Sequence, residues 1–171
     1  IIASADGVGY LAVGKSTANL NEQVYVVKTN ASGSVSFMRP ELTALNSVAP
    51  ATVAPVSLVN VSCQVKNTGL VQAAASVLRC YLSTDNVLDN TDFLLGSSNV
   101  SSLSAGGSAT ANLNLNIPNW AAGSYNLIFM ADATRVVFEA SESNNTTTRT
   151  IQISGAPAGS NLSDLSVLAA T

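Results

Sequence analysis

The chain has 171 residues, of which 47% are hydrophobic and only 10% are charged, and its formal net charge is −3. It contains no histidine, no basic stripe, no apolar run of membrane-spanning length and no carboxylate in a catalytic motif. We therefore expect neither nucleic-acid binding, nor membrane insertion, nor enzymatic activity.

Residues 1–38 predict a small β unit of their own. Short strands are expected at 9–14, 24–28 and 34–37, where β-branched and aromatic residues lie between glycine-rich turns. The pattern DGVGYLAVGKST…VYVVKTNASGSVSF resembles one repeat of a bacterial β-propeller. A single repeat cannot close a propeller, so a β-hairpin extension of the next domain is the alternative.

Residues 39–154 predict an all-β domain. Seven strands are expected, at 41–47, 56–66, 76–83, 93–99, 108–117, 123–132 and 147–154. In the second strand, apolar Val59, Val61, Cys63 and Val65 alternate with polar Asn60, Ser62, Gln64 and Lys66. One buried and one solvated face per strand indicates two antiparallel sheets packed face to face.

Six motifs in this domain follow the order and spacing of a known family. They are VKNTG at 65–69, YLSTDNVLD at 81–89, LLGS at 94–97, LSAGGSA at 103–109, AAGSYNL at 121–127 and ESNNTTTRTI at 142–151. Through them, residues 41–154 resemble the CARDB family, named for a cell adhesion related domain found in bacteria. The resemblance implies an immunoglobulin-like antiparallel β-sandwich of about seven strands, used as a non-catalytic module of large secreted and surface proteins. The two cysteines and Trp120 depart from the family pattern.

Residues 155–171 begin with the linker GAPAGSN and end in a short β-prone segment. That segment, SDLSVL at 163–168, is similar to PELTAL at 40–45, which opens the sandwich. We interpret the tail either as the start of a following repeat or as a donor strand. A donor strand would pair with a sheet edge of an identical subunit and build a filament.

The loop between the third and fourth predicted strands of the sandwich is acidic. Asp85, Asp89 and Asp92 offer hard oxygen ligands at close spacing, which suits Ca²⁺. The loop lacks the glycine and the glutamate of an EF-hand. The alternative is an exposed turn whose Asx side chains bond their own backbone.

Cys63 and Cys80 both alternate onto the inward faces of successive strands. In the resembling fold those strands usually belong to facing sheets, so we predict an inter-sheet disulfide between the two residues. This bond would stabilise the fold by about 3 kcal/mol in the chain-entropy model. The alternative is a pair of buried free thiols, which a reducing compartment would maintain.

Before the last strand lie Glu139, Glu142, Asn144 and Asn145, for which the family resemblance implies a structural turn; the alternative is a binding role. Trp120 is expected to fill one end of the sandwich, and Tyr125 to act as a tyrosine corner. We predict an extracellular structural or adhesive module whose partners are neighbouring domains or identical subunits. The alternative function is carbohydrate binding to surface glycans, which needs an exposed aromatic platform; the residues available for one are Trp120, Tyr10 and Tyr25.

Overall fold

The computed structural model describes residues 2–3, 10–16, 23–29 and 35–155. Its first four strands are β1 (Ile2–Ala3), β2 (Tyr10–Ser16), β3 (Gln23–Thr29) and β4 (Val35–Phe37). They form one antiparallel sheet in chain order, β1-β2-β3-β4. The last three correspond to the predicted strands. Whether this sheet is a propeller repeat or an extension of the sandwich stays a prediction.

Eight further strands form the sandwich. They are β5 (Leu42–Val48), β6 (Thr52–Val53), β7 (Leu58–Asn67), β8 (Ser76–Ser83), β9 (Phe93–Val100), β10 (Ser108–Asn116), β11 (Gly123–Met130) and β12 (Thr146–Ile153). One sheet has the order β10-β7-β5 and the other β6-β12-β11-β8-β9. The predicted all-β, immunoglobulin-like sandwich is therefore confirmed. The strand missing from the prediction, β6, is only two residues long and so carries no periodicity.

The core lies between the two sheets and follows the predicted alternation. Inward residues of the three-stranded sheet, such as Val61 and Leu115, meet those of the five-stranded sheet, such as Leu78, Phe129 and Ile151. All five are at most 4% exposed. The described residues include no helix long and apolar enough to cross a membrane.

The chain enters the sandwich at one end and leaves it at the other. β5 begins at Leu42 beside Asn67, and β12 ends at Ile153 beside Gly123. We call these the upstream end and the downstream end. The upstream end contains 38–41, 68–75, 101–107 and 131–145; the downstream end contains 49–57, 84–92, 117–122 and 154–155. At about 3.3 Å per residue, the length of β12 separates them by about 26 Å.

Candidate functional site

At the upstream end, buried polar side chains join the start of β5 to the loop before β12. Glu139 is 3% exposed, and its Oε2 accepts a hydrogen bond of 2.8 Å from the backbone N–H of Leu42. Asn145 is 1% exposed. In the amide orientation that satisfies its bonding, Asn145 Nδ2 donates to the carbonyl of Leu42 at 2.8 Å and to Glu139 Oε2 at 3.3 Å. Both backbone groups of Leu42 are thus held by side chains of the loop.

Glu41 holds the same loop from the other side. Its Oε2 accepts from the backbone N–H of Ser141 at 2.8 Å, and its Oε1 accepts from Asn144 Nδ2 at 2.6 Å. These bonds support the structural role predicted for the turn. They also show that its partners are backbone and side-chain groups at the start of β5, far away in sequence.

Two buried polar residues of this end were missed by the sequence reasoning. Asn67 is 0% exposed and bonds backbone groups of three separate segments. Asp132 is also 0% exposed, and its carboxylate accepts from the N–H groups of Val136 and Val137 at 3.1 and 2.8 Å. The sequence could have revealed Asn67, because it is a polar residue at one of the odd-numbered inward positions of β7, where the alternation predicts an apolar residue.

Burial raises the pKa of Glu139 to about 7. The N–H of Leu42 lowers this pKa, whereas three neighbouring carboxylates raise it further: Glu142, Asp132 and Glu41. A glutamate of the unfolded chain releases its proton near pH 4.5. Between these two values the folded state therefore binds more protons than the unfolded state, so stability falls as the pH rises.

We expect the Glu139→Gln variant to reveal this pH dependence. The stability that the neutral carboxyl contributes is complete below pH 4.5 and is lost as the pH rises through about 7. The unfolding free energy of the native chain, measured against that of the variant by urea unfolding, should fall by about 1–2 kcal/mol across this window after allowance for solvent screening. Glu142→Gln removes one of the charges that raise the pKa of Glu139, so it should narrow the pH window over which the stability falls without abolishing the fall. A constant difference between Glu139→Gln and the native chain would contradict the assignment.

At the downstream end, the carboxylates of the acidic loop bond the loop itself. Asp85 Oδ1 accepts from the N–H of Val87 at 2.8 Å, and Asp92 Oδ2 accepts from the N–H of Asp89 at 2.9 Å. Asp89 Oδ1 accepts from the hydroxyl and the N–H of Thr91 at 2.6 and 2.8 Å, and these bonds lower the pKa of Asp89. Asp85 and Asp89 thus form Asx turns, in which the side chain bonds the N–H two residues further on, whereas Asp92 bonds back to the N–H of Asp89.

The structure does not gather these three carboxylates around one point. Within the described part of the chain, no group of three His, Cys, Asp or Glu side chains lies close enough together to hold a metal ion. The calcium site at Asp85, Asp89 and Asp92 therefore stays a prediction of the sequence, without support from the arrangement of the loop.

The predicted disulfide between Cys63 and Cys80 is not present, and both residues are buried free thiols. The two do lie in different sheets, as expected, on β7 and β8. A disulfide needs a narrow range of Cα separation and of side-chain direction, which inward positions on facing sheets do not by themselves supply. Cys63 Sγ instead bonds within its own sheet, donating to the carbonyl of Leu45 at 3.5 Å. This corrects the prediction.

We expect neither thiol to react in the folded protein. Burial raises the pKa of Cys63 to about 11, despite the opposing bond to Leu45, and burial also raises the pKa of Cys80. The thiolate is the reactive form, so at pH 8 both groups are protonated as well as inaccessible. Ellman's reagent should detect no thiol in the native chain and two in 6 M guanidinium without reductant. Rapid labelling of the native protein would contradict the burial of the pair.

Trp120 and Tyr125 fill the downstream end rather than forming a flat platform. Their ring centroids are 5.1 Å apart, both side chains pack against the core, and Phe93 meets Trp120 edge-on at 6.3 Å. The hydroxyl of Tyr125 donates to the carbonyl of Ala121 at 3.0 Å, as in a tyrosine corner. The structural roles predicted for these two residues are thus observed. The side chains of Tyr10 and Tyr25 lie outside the described part of the structure.

A model of the CARDB family matches residues 39–149, well over half of the chain. No curated protein matches this chain. A solved structure with the same fold is the crystal structure of the CARDB domain of the PF1109 protein of Pyrococcus furiosus, described as in complex with di-metal ions. Its TM-score is 0.55 and its identity 23%, over 71% of this chain and 99% of that chain.

A second similar structure comes from Methanosarcina acetivorans. It is the solution NMR structure of a domain of a "putative cell surface protein", with a TM-score of 0.52 and 23% identity, over 68% of this chain and 93% of that chain. At such identities the likeness to both structures shows the fold alone.

Proposed function

Because the chain belongs to the CARDB family, we propose that it is a non-catalytic structural and adhesive module of a secreted or surface-displayed protein. The observation that carries this proposal is the position of the two chain ends of the sandwich. Residues 39–42 and 153–155 lie at opposite ends, so a polypeptide that continues on both sides is extended by the length of the module. The cell-surface name of the Methanosarcina relative supports the location.

The upstream network suits a module that carries load along its length. Pulling on residue 39 acts first on the backbone bonds of residues 39–41 to Leu70, Ala140 and Thr68. It acts next on Leu42, whose N–H and carbonyl are held by Glu139 and Asn145. Pulling on residue 155 acts on β12, which is hydrogen-bonded along its whole length to β11. A force applied along the module therefore acts at each end on a paired strand or on buried hydrogen bonds. This arrangement favours resistance to local unfolding.

Two measurements test this function. Antibodies against residues 39–155 should label intact cells that make the protein, and labelling only after lysis would overturn the extracellular assignment. Optical tweezers with handles at Met38→Cys and Gly155→Cys should give one cooperative unfolding step of about 380 Å, the difference between the extended chain and the folded length. Gradual extension at low force would overturn the load-bearing role.

We propose further that residues 163–168 of the tail can form the first strand of a sandwich, as residues 40–45 do at the upstream end of this one. In the sandwich, Glu41 bonds the turn before β12 and Leu42 is fully buried. Asp164 and Leu165 supply the same pair of an acidic and an apolar residue. The tail thus has the chemistry to serve as the first strand of another sandwich, either in a longer chain or in an identical subunit.

Deleting residues 161–171 tests the donor-strand role. The sandwich ends at Ile153, so the shortened chain should unfold at the temperature of the full chain. If the tail donates a strand, the full chain should polymerise at high concentration, as followed by sedimentation, and the shortened chain should not. Equal assembly of both chains would rule out this role for the tail.

A further inference from the structure

The two sheets of the sandwich end in edge strands, most of which carry a feature that discourages pairing with a further strand. β5 is interrupted by a bulge between Leu45 and Val48, where Asn46 has a φ of 51°. β9 loses its register with β8 at one point along its length. β6 is only two residues long, and beside it β12 places the exposed Arg149 at an inward position, opposite the buried Leu127. Short strands, bulges and inward charges are common protections of a sheet edge.

β10 is the edge strand of the described sandwich that lacks all of these protections. It pairs with β7 in an unbroken register from Ser108 to Asn116, and it contains neither proline nor a charged residue. The stretch 93–131, which also includes β9, contains no charged residue at all. Within the described part of the chain, no strand pairs with the other side of β10. Alternate residues of this strand therefore present backbone N–H and C=O groups that have no strand partner.

The outer face of β10 is complementary to itself in the antiparallel direction. When Asn112 lies opposite the Asn112 of a second copy, all nine residues of the strand overlap. Thr110 then lies opposite Asn114, and Ser108 opposite Asn116. All five side chains are exposed and uncharged, and each can both donate and accept a hydrogen bond. Every outer pair in this register can therefore bond across the contact without bringing like charges together.

The inner face of β10 favours the same register. Ala111 lies opposite Leu113 and Ala109 opposite Leu115, so each inner pair combines a small and a large apolar side chain. A shift of the register by two residues in one direction would place Leu113 opposite itself. The same shift in the other direction would place Ala111 opposite itself. Both shifts would also shorten the overlap, so the register centred on Asn112 is the best match on both faces.

We propose that β10 of one copy pairs with β10 of a second copy, antiparallel about a twofold axis at Asn112. The two three-stranded sheets would then join into one sheet of six strands. A second copy is the occupant that this edge fits, because the strand matches its own sequence on both faces and carries no charge to repel itself. The contact uses the same edge of both copies, so it closes at a dimer. A single strand edge is a small interface, which makes the dimer reversible. The contact links copies side by side and is independent of the proposed end-to-end function.

Disulfide trapping tests this pairing with the full chain. Opposed residues of an antiparallel pair have Cα atoms about 4.5–5.5 Å apart, which is within the range of a disulfide. Under mild oxidation, Asn112→Cys should therefore form a disulfide dimer at least about tenfold faster than Asn60→Cys. Asn60 is the matched control, because it is equally exposed on the same sheet face but lies on β7, one strand away from the edge. The native Cys63 and Cys80 are buried and should not interfere.

A mixed pair of variants tests the register. Thr110 of one copy lies opposite Asn114 of the other, so a mixture of Thr110→Cys and Asn114→Cys should form the mixed dimer about tenfold faster than either variant alone. Asn112→Lys in both of these chains would place two cations opposite each other and should slow the trapping. Exchanging it for Asn112→Glu in one of the two chains should restore the rate. Deletion of residues 161–171 should leave the trapping unchanged, because the tail takes no part in this contact.

Three results would overturn the inference. The first is an equal rate of dimer formation for Asn112→Cys and Asn60→Cys. The second is a mixed dimer of Thr110→Cys and Asn114→Cys that forms no faster than the dimers of each variant with itself. The third is protection of Asn112→Cys from maleimide in the dilute full chain, because another segment of the same chain would then occupy the edge of β10.

Discussion

Replacing Gly69 by alanine is expected to lower the free energy of unfolding by about 3 kcal/mol or more. The segment 39–41 runs directly against this glycine, because the N–H of Thr68 bonds the carbonyl of Glu41 at 2.7 Å. A Cβ atom at position 69 would lie 2.6 Å from both Glu41 N and Pro40 C and would strike the carbonyl oxygen of Arg39. All three are backbone atoms, so a side-chain movement cannot relieve the clash.

Two other glycines provide matched controls for the same substitution. Gly106 has a φ of +74°, but a Cβ atom there would meet nothing within 4 Å, so Gly106→Ala should cost about 1 kcal/mol through backbone strain alone. Gly155→Ala meets only Ala122 at 3.9 Å, an ordinary contact, and should be close to neutral. In thermal unfolding, Gly69→Ala should therefore have by far the lowest melting temperature of the three variants. Gly106→Ala should be intermediate and Gly155→Ala highest. A small effect at Gly69 would show that 39–41 does not press on it.

The alternation of apolar and polar residues, with its period of two, made most strands of this fold predictable from sequence. Strands β7 and β10 alternate one apolar and one polar residue, and their predicted bounds agree with the observed ones within two residues. The alternation does not predict burial correctly where both faces of a strand are covered. Ile128 points away from the core yet is 1% exposed, because Tyr81 and Thr148 flank it on the neighbouring strands. Such burial depends on cross-strand neighbours, which alternation within one strand does not reveal.

The upstream end was less predictable because its bonds join residues far apart in sequence. Glu139 and Leu42 are 97 positions apart, and Glu41 and Asn144 are 103 apart. The composition of the turn indicated a structural role but gave no partner. The disulfide prediction failed for a related reason: alternation within each strand placed both cysteines on inward faces, but it does not fix how two side chains on different sheets lie relative to each other.

Asn67→Ala is expected to have a destabilising effect as large as that of Gly69→Ala, for a different reason. Asn67 Nδ2 donates to the carbonyls of Val71, Leu103 and Ser104 at 2.8, 3.1 and 3.1 Å. Its Oδ1 accepts from the N–H groups of Glu41 and Gly69 at 3.1 and 3.0 Å. Removing this amide takes the partner from the N–H groups of Glu41 and Gly69 and from the carbonyl of Val71, at about 1–3 kcal/mol for each that water does not reach. The carbonyls of Leu103 and Ser104 still accept from the N–H groups of Ala73 and Gly107.

The isosteric Asn67→Asp variant separates lost hydrogen bonds from lost volume. Its shape is unchanged, and one carboxylate oxygen can still accept from Glu41 and Gly69, but the other oxygen would face three carbonyls with no hydrogen to donate. We expect a loss of about 4 kcal/mol at pH 7, at least equal to that of Asn67→Ala, and a smaller loss at pH 4, where the neutral carboxyl keeps one donor. The exposed Asn114→Ala on β10 should change the unfolding free energy by less than about 0.5 kcal/mol. If urea unfolding showed Asn67→Asp to be as stable as the native chain at pH 7, the amide would not be the group that joins these segments.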